Sequence, residues 1–472
     1  MKNIAFIPLD NRPVCYDLPI DVINCTTDYQ IFLPPISDIG GLYDVANFDK
    51  IISWLNELNN IDYIIVALDT IAYGSLVASR RIELTFEEIL ERLNKFKNII
   101  IKKQAKVLAF SSIMRISNNN INEEEKEYWC RYGKKIFDYS FNFHKSEICA
   151  DADANAKFSC ISNVIPKEIL DDYLNTRERN FNINKTYLEW LKEGILDTLV
   201  FSKDDCAQFG LNVKEANELE KIITQNNLNG VVKTGADEIP LSLLSRVITE
   251  KPNIKIYPIW TNETGKNLIS KYEDITIEKS VLGQIELAGA SVCDDINNAD
   301  LILYINNFEN TQGELVMNVD TKPFNAELQK FNKPYFYVDV RFANGADNAF
   351  VEKILHTEFD NNFYGFSAWN TSANSLGCGI LIALTKFCSK NFNNNNFKKL
   401  QFIRFIDDWA YQANIRGKIR NDNNNLSSEI LKKELKIFES IICKWLAINK
   451  YECIYAFPWN RFFEIRIKIQ NT

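Results

Sequence analysis

Along the first half of the chain, short apolar runs alternate with stretches whose apolar positions recur at helical spacing. Ile4–Leu9, Gln30–Leu33, Tyr63–Leu68, Lys106–Phe110, Thr198–Phe201, Gly230–Lys233 and Lys255–Ile259 read as strands, and Phe86–Lys97 and Val213–Gln225 read as amphipathic helices. Near-continuous apolar strands separated by helices predict a parallel sheet covered on both faces. The pattern fits a (β/α) barrel and an open, doubly wound sheet equally well. A second, smaller α/β unit follows, with a helix at Ile277–Ala288, strands at Leu301–Ile305, Tyr335–Val340 and Tyr364–Ala368, and a small-residue helix at Ser375–Cys388. Helical patterns at Phe397–Arg416 and Ser427–Ile448 close the chain, and the runs Asn118–Asn120, Asn393–Asn396 and Asn423–Asn425 read as loops. The expected division is a barrel-like domain over 1–265, a second α/β domain over 266–395 and a mainly helical segment over 396–472 that completes the site.

Composition narrows the function. The 472 residues are 46% hydrophobic with a net charge of −8, enough for large cores and the wrong sign for a nucleic-acid or anionic-membrane partner. No apolar run reaches the ~20 residues of a membrane span, and the apolar start Ile4–Leu9 is too short for a signal sequence. The 11 cysteines include no CxxC pair, which disfavours zinc ribbons and thioredoxin-like sites. An odd number of thiols without a leader predicts a cytoplasmic protein. There are only two histidines, His144 and His356, so acid–base chemistry must rest on carboxylates.

Those carboxylates fall in a pattern. Predicted strands end in Asp10-Asn11-Arg12, Asp69-Thr70, Ser202-Lys203-Asp204-Asp205 and Gly235-Ala236-Asp237-Glu238, with Ser111, Ser112 and Arg115 after the fourth. In parallel α/β folds the carboxyl ends of the strands share one face, where ligands bind. An Asp in a βα loop also caps the next helix, but one cap needs only one carboxylate, so the Asp204-Asp205 pair stands out. The second half contributes Asn344-Gly345-Ala346-Asp347, Trp369-Asn370-Thr371-Ser372-Ala373-Asn374, Asp407-Asp408-Trp409 and Phe457-Pro458-Trp459-Asn460-Arg461. Trp with Asn, Asp and Arg is what a sugar site uses: paired polar groups for hydroxyls and an indole for the C–H face.

The segments Ile7-Pro8-Leu9-Asp10-x-Arg12-Pro13, Leu68-Asp69-x-x-Ala72-Tyr73-Gly74, Ser202-Lys203-Asp204-Asp205, Gly235-Ala236-Asp237-Glu238, Trp369-Asn370-Thr371, Asp407-Asp408-Trp409 and Phe457-Pro458-Trp459-Asn460-Arg461 resemble the bacterial family called domain of unknown function 4127. The resemblance runs through nearly the whole chain. It implies that these segments act as one unit and names no reaction.

The leading expectation is a carboxylate-based hydrolase acting on a small glycoside, amino sugars included, with no metal or cofactor. Asp204 and Asp205 would carry acid–base work, with Asp69 or Asp237 as partner. Asp10, Arg12, Arg80, Glu238, Asn344, Trp369, Asn370, Asn374, Asp407, Asp408, Trp409, Asn460 and Arg461 would hold the substrate. The runner-up is a divalent-metal enzyme acting on a phosphorylated or carboxylated metabolite, with Asp10, Asp69, Asp204 and Asp237 as oxygen ligands and Arg12 and Arg80 on the anion. A third class is a non-catalytic saccharide- or metabolite-binding protein.

Overall fold

The computed structural model describes residues 1–204, 206–250, 253–422 and 426–470. Asp205 and the Asn423–Asn425 run lie outside the described residues. Six parallel strands build the first sheet: β1 (Lys2–Ile7), β2 (Tyr29–Phe32), β3 (Tyr63–Ala67), β4 (Lys106–Ile113), β5 (Thr198–Lys203) and β6 (Gly230–Thr234), in the order β2-β1-β3-β4-β5-β6. Alternate residues face opposite sides, as the pleat requires. Ile4 and Phe6 join one hydrophobic cluster, whereas Ala5 and Ile7 join another beneath helices Phe48–Glu57, Phe86–Lys103, Lys167–Lys192 and Leu211–Gln225.

Of the two architectures the pattern allows, the open, doubly wound sheet is the one observed. The sheet grows in both directions from β1, leaving β2 and β6 as edges, and the next strand leaves it altogether. That strand, β7 (Lys255–Trp260), pairs instead with β8 (Ser291–Val292) and β9 (Leu301–Asn306). The expected boundary at 265 therefore moves to before Lys255.

The second sheet continues after β10 (Gly313–Glu314) through β11 (Tyr335–Asp339), β12 (Phe342–Ala343) and β13 (Phe363–Ser367), in the order β13-β11-β9-β7-β8. β10 and β12 form a separate short parallel ladder. Both sheets thus follow one doubly wound plan, with a reversal of winding beside their first strand. Helix Ile239–Ile248 of the first lobe packs on helix Ser372–Cys388 of the second, and a single hydrophobic cluster runs from Ile4 and Phe6 through Leu241 to Tyr337, Phe366 and Trp409. The lobes share a core.

The C-terminal segment binds them further. A continuous helix covers the exposed edge of β13, where Gln401 Oε1 accepts from the Phe366 N–H (3.0 Å) and Asp408 Oδ2 from the Ala368 N–H (2.8 Å). Covering an edge in this way removes unpaired backbone groups. Phe405–Ile415 within it is π-helical, a rare form that is concentrated at functional sites. The segment ends in an antiparallel hairpin, β14 (Glu452–Ala456) and β15 (Arg466–Gln470). No described helix is long and apolar enough to cross a membrane.

Candidate functional site

The carboxyl ends of both sheets open on one cavity of about 290 Å³. From the first lobe come Arg12 after β1, Arg115 after β4, Lys203 and Asp204 at the end of β5, and Thr234–Asp237 after β6. The second lobe supplies Tyr272 and Glu273 after β7, Glu314 of β10, Asn344 after β12, and Asn370, Thr371 and Asn374 after β13. Arg416, Trp459 and Phe463 arrive from the C-terminal segment. A ligand site beyond the strand ends is where a doubly wound sheet places one.

Local geometry explains how these side chains reach the cavity. Asn344 and Asn370 occupy the left-handed region (φ +64° and +62°), and the Asn344 N–H donates to the Asn370 carbonyl at 2.8 Å. Asn tolerates that conformation better than other residues with a Cβ, so each strand end turns sharply while keeping a polar side chain. Trp459 is also left-handed (φ +56°), a costly conformation for an aromatic residue. Its indole N–H donates to Asn11 Oδ1 (2.7 Å), and the guanidinium groups of Arg12 and Arg461 lie over its ring at 4.9 and 4.8 Å. These contacts hold it in place. Gln412 Nε2 donates to the Phe463 carbonyl, which fixes the same loop to the π-helical segment.

The first lobe's charges neutralise one another. Arg12 donates to Asp10 Oδ2 at 2.9 Å from Nε and 2.7 Å from Nη2 and to Asp10 Oδ1 at 3.1 Å from Nε, and its Nη1 donates to Asp237 at 3.0 Å. Burial pushes Asp237 upward and Arg12 opposes it. Arg115 bonds Asp204 (3.3 Å) and Glu124 (2.8 Å). Although burial acts the other way, Arg115, Arg80 and Arg461 hold Glu124 well below the usual carboxylate range. Gly235 allows this packing, because a Cβ there would overlap Glu238 and its φ is +117°.

The second lobe differs. Glu273 Oε1 accepts from the Ala373 N–H (2.7 Å) in the first turn of helix Ser372–Cys388, yet its Oε2 is buried without a partner. Burial, opposed by that N–H and by the Ser280 hydroxyl, pushes this carboxyl up to about 7. Asn374 donates to Thr371 Oγ1 through its amide, and its Oδ1 is likewise buried and unpartnered. A buried acceptor left unmade costs roughly 1–3 kcal/mol, so two of them at one cavity point to groups that a ligand supplies.

The expected site residues divide clearly. Asp204, Asp237, Arg12, Asn344, Asn370 and Asn374 meet at the cavity. Asp10 stands behind Arg12. Asp69 ties β3 to β4 through the Ser112 N–H (2.8 Å), and burial pushes it up to about 7, away from the cavity wall. Glu238 is buried, accepting from the Ala236 N–H and Gln284. Arg80 is taken up by Glu124 and Glu125, and Arg461 by Glu123 and Glu124. Asp407 and Asp408 pair with Arg404. Trp369 is 1% exposed and packs on Phe463, while Trp409 is buried with its indole N–H on Asn348. The indole at the cavity is Trp459 instead. Asn460 is exposed outside it.

Nor do the four expected metal ligands share one shell. Among the described residues, Asp10, Cys15 and Asp237 form the one group of metal-type donors, and the Arg12 guanidinium already bonds both carboxylates. Glu273, Glu314 and Arg416 escaped the sequence reading. Glu273 lies in a loop well past the end of β7 and Arg416 at the end of a helical run, so the rule that reads strand ends passes over both.

Fold and cavity together define a two-lobed, doubly wound α/β protein with a polar cavity at the meeting of its strand ends. The chain belongs to the family described as "Protein of unknown function (DUF4127)", whose model matches residues 4–468. No curated protein and no solved structure matches it.

Proposed function

We propose that the cavity is the active site of a carboxylate-dependent hydrolase acting on a small glycoside. The observation that carries this reading is Glu273: a buried carboxyl with one oxygen anchored on the Ala373 N–H, the Ser280 hydroxyl beside it, and a proton held near neutral pH. Such a group is suited to be a general acid. Asp204, 3.3 Å from Arg115, comes from the opposite lobe and supplies the second carboxylate. Glu273 protonates the leaving oxygen as the glycosidic C–O bond breaks, and Asp204 takes a proton from the attacking water. Solvent exchange then returns the proton to Glu273. Asn344, Asn370 and Asn374 bond the sugar hydroxyls. Trp459 already carries two guanidinium groups on its ring, so hydroxyl recognition, rather than stacking, is the basis of binding. The cysteines are all unpaired, which fits a reducing cytoplasm.

The test is a screen of aryl glycosides, N-acetylhexosaminides included, followed by Glu273→Gln and Asp204→Asn. Each substitution should lower kcat by about 10²-fold or more while the chain stays folded. Turnover unchanged in both variants, or chelator-sensitive activity on phosphate esters alone, overturns the reading.

A further inference from the structure

Each acid of the first-lobe cavity wall meets an arginine, but one cavity arginine meets no acid. Arg416 is 9% exposed, and among the described residues it forms no ion pair. Its Nη1 donates to the neutral Gln412 Oε1 (2.8 Å), its plane lies over Phe463 at 5.3 Å, and its Nε is buried without a partner. Two acids act on it from beyond ion-pair distance, Glu314 and Asp407, yet Asn344 and the amides of Val316 and Met317 occupy the first carboxylate and Arg404 pairs with the second. Burial accordingly draws the Arg416 pKa downward. Arg416 also lines a second cavity of about 190 Å³, which it shares with Val316 and Arg420.

A buried guanidinium without a counter-ion is expensive, and replacing it with a neutral group should relieve the unligated fold. Its planar donors match an oxyanion in two-point fashion. We propose that Arg416 is an anion subsite of the cavity, binding a carboxylate or phosphate group carried by the substrate. Resting on the glycosidase reading above, this makes the substrate an acidic saccharide, a uronate or a sugar phosphate, with its charged group toward Arg416 and its scissile bond between Glu273 and Asp204. The anion would not sit at Arg12 or Arg80, whose guanidinium groups are saturated by carboxylates.

Calorimetric titration of the full chain with inorganic phosphate, glucose 6-phosphate, glucuronate and neutral glucose tests this. At least one anionic probe should bind about tenfold or more tighter than glucose. Glucose 6-phosphate against glucuronate separates phosphate from carboxylate. R416Q should erase the anionic advantage, R416K should retain part of it, and unligated R416Q should melt at or above the wild-type temperature. Wild-type protein that binds no anionic probe, or binds neutral and anionic sugars equally, overturns the proposal, as does an R416Q variant with unchanged anion affinity. Anion binding without turnover of any glycoside leaves this proposal standing and removes the hydrolase reading. Turnover of glycosides in which anionic ones are favoured no more than neutral ones, in the wild type and in R416Q alike, does the reverse.

Discussion

The two lobes use the same winding order and treat the polar groups that line the cavity differently. At the first lobe's strand ends, Asp10, Asp237, Asp204 and Glu124 are bonded by Arg12 and Arg115. The second lobe and the C-terminal segment leave Glu273 Oε2, Asn374 Oδ1 and Arg416 Nε buried without partners. The backbone follows the same division. On the cavity wall the first lobe turns left-handed at Gly235, whereas the second does so at Asn344 and Asn370, which give up conformational ease to keep a side chain at the cavity. Completed charge networks hold a shape, and incomplete ones wait for a ligand. On this comparison the first lobe is mainly a preorganised wall, and the second lobe carries the free chemistry.

The largest effect should come from breaking the wall. Arg12→Ala leaves Asp10 and Asp237 buried and facing each other, which should cost about 3–5 kcal/mol in urea denaturation. Adding Asp10→Asn and Asp237→Asn to that variant should restore much of the loss, because the uncompensated charges are gone. A loss below ~1 kcal/mol for Arg12→Ala would mean that the first-lobe network is not a scaffold.

Glu273→Gln should do the opposite to stability, and pH sharpens the contrast. The folded chain raises this carboxyl from its ordinary 4.5 to about 7, so the folded state holds the proton more tightly than the unfolded state. Its stabilising share is therefore full below about 4.5 and is lost as pH rises through about 7. Other buried carboxyls titrate alike in both proteins and cancel in the difference. Glu273→Gln should gain on the wild type across that window, by on the order of 1–3 kcal/mol at pH 8, while losing turnover. A pH-independent difference would show that Glu273 is not held protonated.

How far the sequence alone reveals this arrangement depends on the kind of signal. The strands were legible because buried parallel strands are near-continuous apolar runs, and the first-lobe acids because they stand directly at strand ends. Sheet closure was not legible, since β7 reads the same whether it closes a barrel or opens a second sheet. The indoles misled for a related reason: Trp369 and Trp409 sit among polar neighbours in the sequence, but the polar groups beside them serve the edge of β13. Glu273 and Arg416 look ordinary in a linear reading. What distinguishes them is the partner each lacks, a property only of the packed chain.

The smallest effect separates the backbone role of the second-lobe asparagines from their role as ligands. Asn370 holds φ at +62° and lines the cavity. Asn370→Gly keeps the left-handed turn at no steric cost, while Asn370→Ala must pay about 1 kcal/mol for it. Both remove the same amide. If Asn370 serves the substrate, the two variants should lose affinity for it equally, though the glycine variant should be the more stable by about 1 kcal/mol. If its role were only to turn the chain, Asn370→Gly would bind like the wild type and only Asn370→Ala would fall. In that case the second lobe's use of Asn in place of Gly would have no bearing on the ligand, and the contrast between the lobes would reduce to their charges.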